Sequence, residues 1–261
     1  MPHSVIAGEG ASVSSHGNGK ATFYLVGPGV SQKREISLGD EIRIAPTDLE
    51  HAGRYLAILC AGDCRSAEFS VIAAEPSTVA FLVHPSRVPV HQADAISGVA
   101  LLFDHFSNLV LTSTPVNFVV KSPKENLFSK PVTTQNGEAW FRTSSGKAAG
   151  PVTLTASADR LSAQRVVQQV ASEPCNLRIK AAETPHGIEV QTEPVRDCAG
   201  NPVSDGTIIS FTGADSAGRI SIDAPIKGGI ARARMAVPEP VVISAASGVT
   251  IGNELRIGKK P

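Results

Sequence analysis

Short runs of alternating or β-branched residues recur along the whole chain: ATFYLV (21–26), EIRIA (41–45), YLAILC (55–60), EFSVIA (68–73), TVAFLV (78–83), GVALLF (98–103), VNFVV (116–120), VTLTA (152–156), RVVQQV (165–170), LRIKA (177–181), TIISFT (207–212), RISID (219–223) and ARARMAV (231–237). Gly, Pro, Asn, Asp or Ser separates most of them, which predicts strands joined by turns at intervals of about 8 to 12 residues. A helical period is nearly absent. Only PTDLEHAG (46–53) resembles a helix, of about two turns at most, with Thr47 as its candidate N-cap.

The pattern repeats. DHFSNLVLTSTPVNFV (104–119) aligns with DCAGNPVSDGTIISFT (197–212), pairing Asp104 with Asp197, Asn108 with Asn201, Val110 with Val203 and Phe118 with Phe211. The offset is about 93 residues, drifting to about 92 where Gly137 and Ala139 meet Gly229 and Ala231, and to about 89 between PVTLTASA and PVVISAAS. Chance matches would not keep their order through such drift. Junctions repeat as well: Glu75-Pro76 corresponds to Glu173-Pro174, and Pro holds its predecessor extended while removing a ladder donor. The expected organisation is a flexible N-terminal arm over 1–19, a small β domain over 20–75, and β-sandwiches over 76–172 and 173–258. The fold class predicted is all-β, with tandem sandwiches strung as beads on a rod.

The phrase D-x-x-G-N-P-V, a following alternating strand with Phe, an N-G-x-A strand and V-T-x-x-A together resemble the bacterial immunoglobulin-like repeat of the invasin/intimin type. The third unit carries Asp197, Gly200, Asn201, Pro202, Val203, Phe211, Gly229 and Ala231. The second carries Asp104, Asn108, Val110, Phe118, Asn136, Gly137 and Ala139, but has Ser107 and Leu109 for the Gly and Pro of the turn. The resemblance implies extended rods of immunoglobulin-like sandwiches on bacterial surfaces, with binding confined to a few exposed tips. The first unit matches less well. Its HAGRYLAIL makes Tyr55 a candidate tyrosine corner, in which a phenol bonds back to an upstream backbone group; a packed core aromatic is the alternative.

Four cysteines allow three pairings. Cys60 and Cys64 flank Ala-Gly-Asp between two strand-like runs, and Cys175 and Cys198 lie close together at the start of the third unit. Proximity favours Cys60–Cys64 and Cys175–Cys198 disulfides. Ser77 and His105 stand at the positions of Cys175 and Cys198 in the second unit, as a bridge private to the third requires. Bridges imply an oxidising compartment and hence export. A zinc site, which wants paired knuckles, and four reduced thiols are the rival readings.

Composition narrows the function classes. Lys plus Arg equals Asp plus Glu at 24 each, so no net field draws the chain to nucleic acid or an anionic membrane. The 23 Gly and 18 Pro suit many short strands and turns. No apolar run reaches the roughly 18 residues of a membrane helix, and no signal peptide is visible at the N-terminus. Neither H-E-x-x-H, G-x-S-x-G nor a glycine-rich phosphate loop occurs. Asp197, Asp205, Asp215 and Asp223 lack the spacing of a calcium loop and read as turn caps. No catalytic residue, metal or cofactor is therefore expected.

One side chain stands apart. In NGEAWFR the repeat turns Ala139 and Phe141 inward, so alternation turns Trp140 outward, where the third unit has Arg232. An exposed Trp is a candidate anchor for a protein or glycan partner; packing beneath a loop or neighbouring domain is the alternative. The expected function is that of a non-enzymatic exported spacer or adhesive module, the alternative being a carbohydrate- or protein-binding accessory region of a secreted enzyme.

Overall fold

A computed structural model of the chain describes residues 3–123 and 126–258. The first sandwich comprises β1 (Ser4–Ile6), β2 (Ala11–Ser14), β3 (Lys20–Gly27), β4 (Val30–Ser37), β5 (Glu41–Ile44), β6 (Gly53–Ala61) and β7 (Asp63–Ile72). Its larger sheet runs β1-β7-β6-β3-β4, and β2 pairs with β5 in the facing sheet. Alternate residues point into the space between them: Phe23 and Leu25 on β3, Tyr55 and Ala57 on β6, Phe69 and Val71 on β7, Ile42 and Ile44 on β5. Tyr55 is both a core aromatic, 5.4 Å from Phe69 between ring centroids, and a corner. Its hydroxyl donates to His51 O at 2.9 Å, with Pro28 O a second acceptor at 3.1 Å.

Two expectations for this unit are corrected. Residues 3–19 are not a flexible arm: Ser4–Ile6 pairs parallel with β7, Ala11–Ser14 pairs with β5, and Val5 and Ala7 are buried. A single apolar tripeptide among Gly and Ser is enough to dock on a sheet edge, because the ladder bonds do not depend on side chains. Nor does Thr47 cap a helix. Pro46–Asp48 forms one 3-10 turn whose N-cap is Ala45, without a side-chain bond, because Pro46 takes the first helical position.

The second sandwich comprises β8 (Thr78–His84), β9 (Arg87–Pro89), β10 (Ile96–Phe103), β11 (Pro115–Lys121), β12 (Asn126–Thr133), β13 (Glu138–Thr143), β14 (Gly150–Ala158) and β15 (Leu161–Val170). One sheet runs β13-β10-β8 and the other β12-β11-β14-β15-β9. Phe81, Phe118 and Phe141 meet in its core, with Phe118 and Phe141 centroids 4.7 Å apart. Gly98 makes this possible: a Cβ there would stand 2.4 Å from the Phe141 ring and 2.9 Å from that of Phe81.

The third sandwich comprises β16 (Ile179–Thr184), β17 (Gly187–Thr192), β18 (Ile208–Ala214), β19 (Arg219–Pro225), β20 (Arg232–Met235), β21 (Val241–Ser247), β22 (Thr250–Ile251) and β23 (Leu255–Ile257). Its sheets are β16-β17-β20 and β19-β18-β21, with β22 and β23 both paired to β21. Phe211, Ile209 and Ile243 centre its core. Three cores thus follow one another along the chain, each closed by the same sheet-on-sheet packing of alternating strands.

Two disulfides are formed. Cys60 and Cys64 face each other across β6 and β7 and close the exposed tip of that hairpin. Cys175 and Cys198 tie the start of the third unit to its Asp-Cys-Ala-Gly-Asn turn.

Candidate functional site

The residues that the repeat aligns most clearly, Asp104 with Asp197 and Asn108 with Asn201, lie at the joints between sandwiches. Asp104 is 2% exposed. Its Oδ1 accepts the N–H groups of Phe106 and Asn108 at 2.9 and 2.8 Å, which folds the turn. Its Oδ2 reaches across the joint to the N–H of Ala74 at 2.9 Å and also accepts from Asn108 Nδ2 at 2.9 Å. Asn108 then grips the first sandwich with both ends of its amide: Nδ2 donates to Glu50 O at 2.7 Å, and Oδ1 accepts from Ala52 N at 2.8 Å.

The second joint repeats this atom for atom. Asp197 Oδ1 accepts from Ala199 N and Asn201 N, and its Oδ2 accepts from Ser172 N at 3.1 Å. Asn201 Nδ2 donates to Lys147 O at 2.9 Å, while its Oδ1 accepts from Ala149 N at 3.0 Å. Ser172 Oγ adds a bond to Val90 O at 2.7 Å. Ser107 takes φ +66 where Gly200 takes +85, so the turn survives the missing glycine of the second unit. Burial opposes ionisation of both aspartates, but the bonds from Asn108, Ala74 and Phe106, and from Asn201, Ser172 and Ala199, outweigh it. Both carboxyls are held below their ordinary 3.8.

The joints differ in their apolar packing. Phe106 packs against the core of the first sandwich. Gly8 accommodates it, since a Cβ there would lie 2.4 Å from the ring. The corresponding residue of the second joint is Ala199. The sequence marks these aspartates and asparagines as turn residues. The repeat also shows that the pair persists at one spacing while the three residues between them change; that the pair bonds across the joint is visible only in the structure.

The outward face of the β13-β10-β8 sheet is the other distinctive surface. Trp140 is 62% exposed on β13, Val99 stands opposite it on β10, and Leu82 beyond that on β8 is 61% exposed. The three form an apolar row across the sheet. Arg142, Ser97 and His84 make the row on one side, and Glu138, Leu101 and Ala80 that on the other. A shallow cleft of about 470 Å³ adjoins Trp140 and is lined by Phe128, Lys130, Pro131 and Arg142. The equivalent face of the third sandwich carries Lys180, Gln191 and Arg232, then Ala182, Glu189 and Arg234. Its charges are met locally, by Arg234–Glu189 at 2.6 Å and Lys180–Glu193 at 3.1 Å.

Asp205, Asp215 and Asp223 remain apart from Asp197. Asp205 accepts from Gly228 and Gly229, Asp215 from Ala217 and Gly218, and Asp223 from Ser210 Oγ. Among the described residues no group of three or more His, Cys, Asp or Glu side chains is placed to hold a metal ion. No helix among them is long and apolar enough to cross a membrane.

No protein-family profile matches the sequence, and no curated protein matches it. Solved structures do resemble it. FdeC, an Escherichia coli adhesin, superposes with a TM-score of 0.62 at 15% identity, over 99% of this chain and 95% of that one. Invasin, a bacterial integrin-binding protein, gives 0.51 at 12% identity over 93% of this chain and 57% of its own. InvD of Yersinia pseudotuberculosis gives 0.50 at 10% identity, over 98% and 96%. The chain has the tandem immunoglobulin-like fold of these bacterial proteins.

Proposed function

We propose that the chain is an exported, non-enzymatic adhesive module: a jointed series of sandwiches that presents the Trp140–Val99–Leu82 row to a protein partner. The observation that carries this reading is the row itself, an exposed aromatic and an exposed leucine joined by the half-buried Val99, on a sheet whose counterparts are polar or ion-paired. Exposed aromatic anchors are typical centres of interfaces. Two aliphatic neighbours extend the platform beyond one ring, which suits a protein surface better than a single stacked sugar. Arg142 and Glu138 supply a polar rim of both signs. Two disulfides support an oxidising compartment, and the likeness of fold to FdeC, an adhesin, supports the adhesive role.

The test is a screen of the intact chain against arrayed extracellular proteins and glycans, followed by the Trp140→Ala and Leu82→Ser variants. A protein ligand whose binding falls at least tenfold in both variants supports the reading. Binding untouched by either change, or hits confined to glycans, sinks it.

A further inference from the structure

In each sandwich one edge of the larger sheet is the strand paired with the bearer of a core phenylalanine: β4 beside β3, β12 beside β11 and β19 beside β18. The residue opposite that phenylalanine lies on the same side of the sheet, so its position faces the interior. In the third sandwich it is Ile222, opposite Phe211, half-buried and packed on the core. In the first it is Arg34, opposite Phe23. Its guanidinium lies 5.1 Å from the centre of the Phe23 ring, and its Nη2 donates to Arg43 O on β5. The first sandwich thus bridges its two sheet edges with a hydrogen bond, and the third packs an aliphatic side chain at the same place.

The second sandwich does neither. Opposite Phe118 stands Lys130, at an inward position of β12 yet exposed. Among the described residues its ammonium has no ion-pair or hydrogen-bond partner, and neither has the guanidinium of Arg142 on the facing edge strand, β13. An inward charge can guard an edge strand against pairing, but Pro131 already takes a donor out of this edge. What Lys130 leaves is the cleft of about 470 Å³ between β12 and β13. Its floor is apolar: Phe128 and Phe141 stack with centroids 5.2 Å apart, flanked by Val132 and Trp140. The charged residues lining it are Lys130 and Arg142, both cations. An apolar space of roughly 150 Å³ holds benzene, so the cleft has room for an aromatic side chain together with its neighbours.

We infer that this slit anchors the protein partner by an acidic segment: an aromatic side chain enters between β12 and β13, and the carboxylates flanking it are held by Lys130 and Arg142. The inference rests on the reading of Trp140 as part of a protein-binding face and adds the chemistry of the partner. The sign follows from complementarity, since two unpaired cations at one rim favour an acidic partner and suppress a basic one. The apolar floor decides for a polypeptide over a sulfated glycan, which would meet the cations and leave the rings in water. An aromatic anchor seated in a pocket with a polar rim is the usual form of an interface centre.

Trp140 reports on the slit directly, because it is the sole tryptophan of the chain. The intact chain is titrated with the peptides GSDFDSG, GSDSDSG and GSKFKSG, blocked at both ends, and with a heparin tetrasaccharide. GSDFDSG should shift the tryptophan emission saturably and bind at least tenfold more tightly than either other peptide. These changes are in the probe, so folding of the protein is not at issue. Lys130→Ile, which gives the slit the aliphatic side chain of the third sandwich, should raise the melting temperature and weaken binding of GSDFDSG at least tenfold. No saturable shift with GSDFDSG, equal binding of the three peptides, or binding unchanged in Lys130→Ile overturns the inference. Saturable binding of the tetrasaccharide alone overturns it too and gives the slit to a polyanion. The exposed row is judged separately: a protein ligand lost with Trp140→Ala but kept with Lys130→Ile leaves that reading in place and overturns only the slit.

Discussion

Asp104 Oδ2 accepts the backbone N–H of Ala74 at 2.9 Å, so a carboxylate at the foot of one sandwich holds the chain as it leaves the sandwich before. Asn108 completes the grip on Glu50 and Ala52. Replacing Asn108 by Ala leaves those two backbone groups to be met by water, a loss of about 1–3 kcal/mol at the joint if water enters poorly. Small-angle scattering of Asn108→Ala should show a broader distribution of end-to-end distances, with the β-type circular dichroism unchanged. Asn201→Ala should do the same at the second joint.

Acid should loosen both joints. Asp104 and Asp197 have folded values below their ordinary 3.8, so their contribution is fully present above that value and disappears as pH falls through the lower, folded one. Melting curves of the chain and of Asp104→Asn should therefore differ at neutral pH and converge well below about pH 4. A gap that persists unchanged into strong acid would show that the carboxylate charge is not what holds the joint.

Trp140 and Phe141 are adjacent but face opposite ways. Trp140→Ala should change stability by no more than about 0.5 kcal/mol, as exposed substitutions do. Phe141→Ala removes a ring packed on Phe81, Phe118 and Phe128 and should cost about 3–5 kcal/mol. Denaturant titration of the two variants distinguishes them directly.

The bridges should act locally. By chain-entropy reasoning the Cys175–Cys198 loop contributes about 3 kcal/mol and the much shorter Cys60–Cys64 loop about 2 kcal/mol. The paired variant Cys175→Ser with Cys198→Ser should lower only the transition of the third sandwich in calorimetry, and that with Cys60→Ser and Cys64→Ser only the first.

Strand alternation and the repeat are enough to place Phe118, Phe211, Ala139 and Ala231 inside and Trp140 outside, because the positions two residues before and after each inward one are Gly or apolar. They do not reveal β4. Its inward positions include Gln32 and Arg34, and a polar residue facing a sandwich interior erases the period-two signal. Nor do they reveal β12, where Pro131 argues against a strand; it is tolerated because β12 is at a sheet edge. The joints are hidden for another reason. Asp and Asn cap turns so commonly that their bonds to a neighbouring domain leave no mark of composition. Val99 and Leu82 escape notice because the row they make with Trp140 joins three strands and exists only once register is known.

The parallel pairing of β9 with β15 also decides how the second sandwich bears tension. The chain enters at β8, beside the pole held by Asp104, and leaves from β15 at the pole held by Asp197. A pull along the chain draws these strands along their own axes in opposite directions. The ladders from Ser97–His84 to Phe103–Thr78 and from Gln168–Arg87 to Val170–Pro89 are then loaded in shear, all at once, instead of being unzipped bond by bond. Under force the survival of the module is set by its unfolding rate, and this geometry requires many hydrogen bonds to fail together before the sandwich can give way.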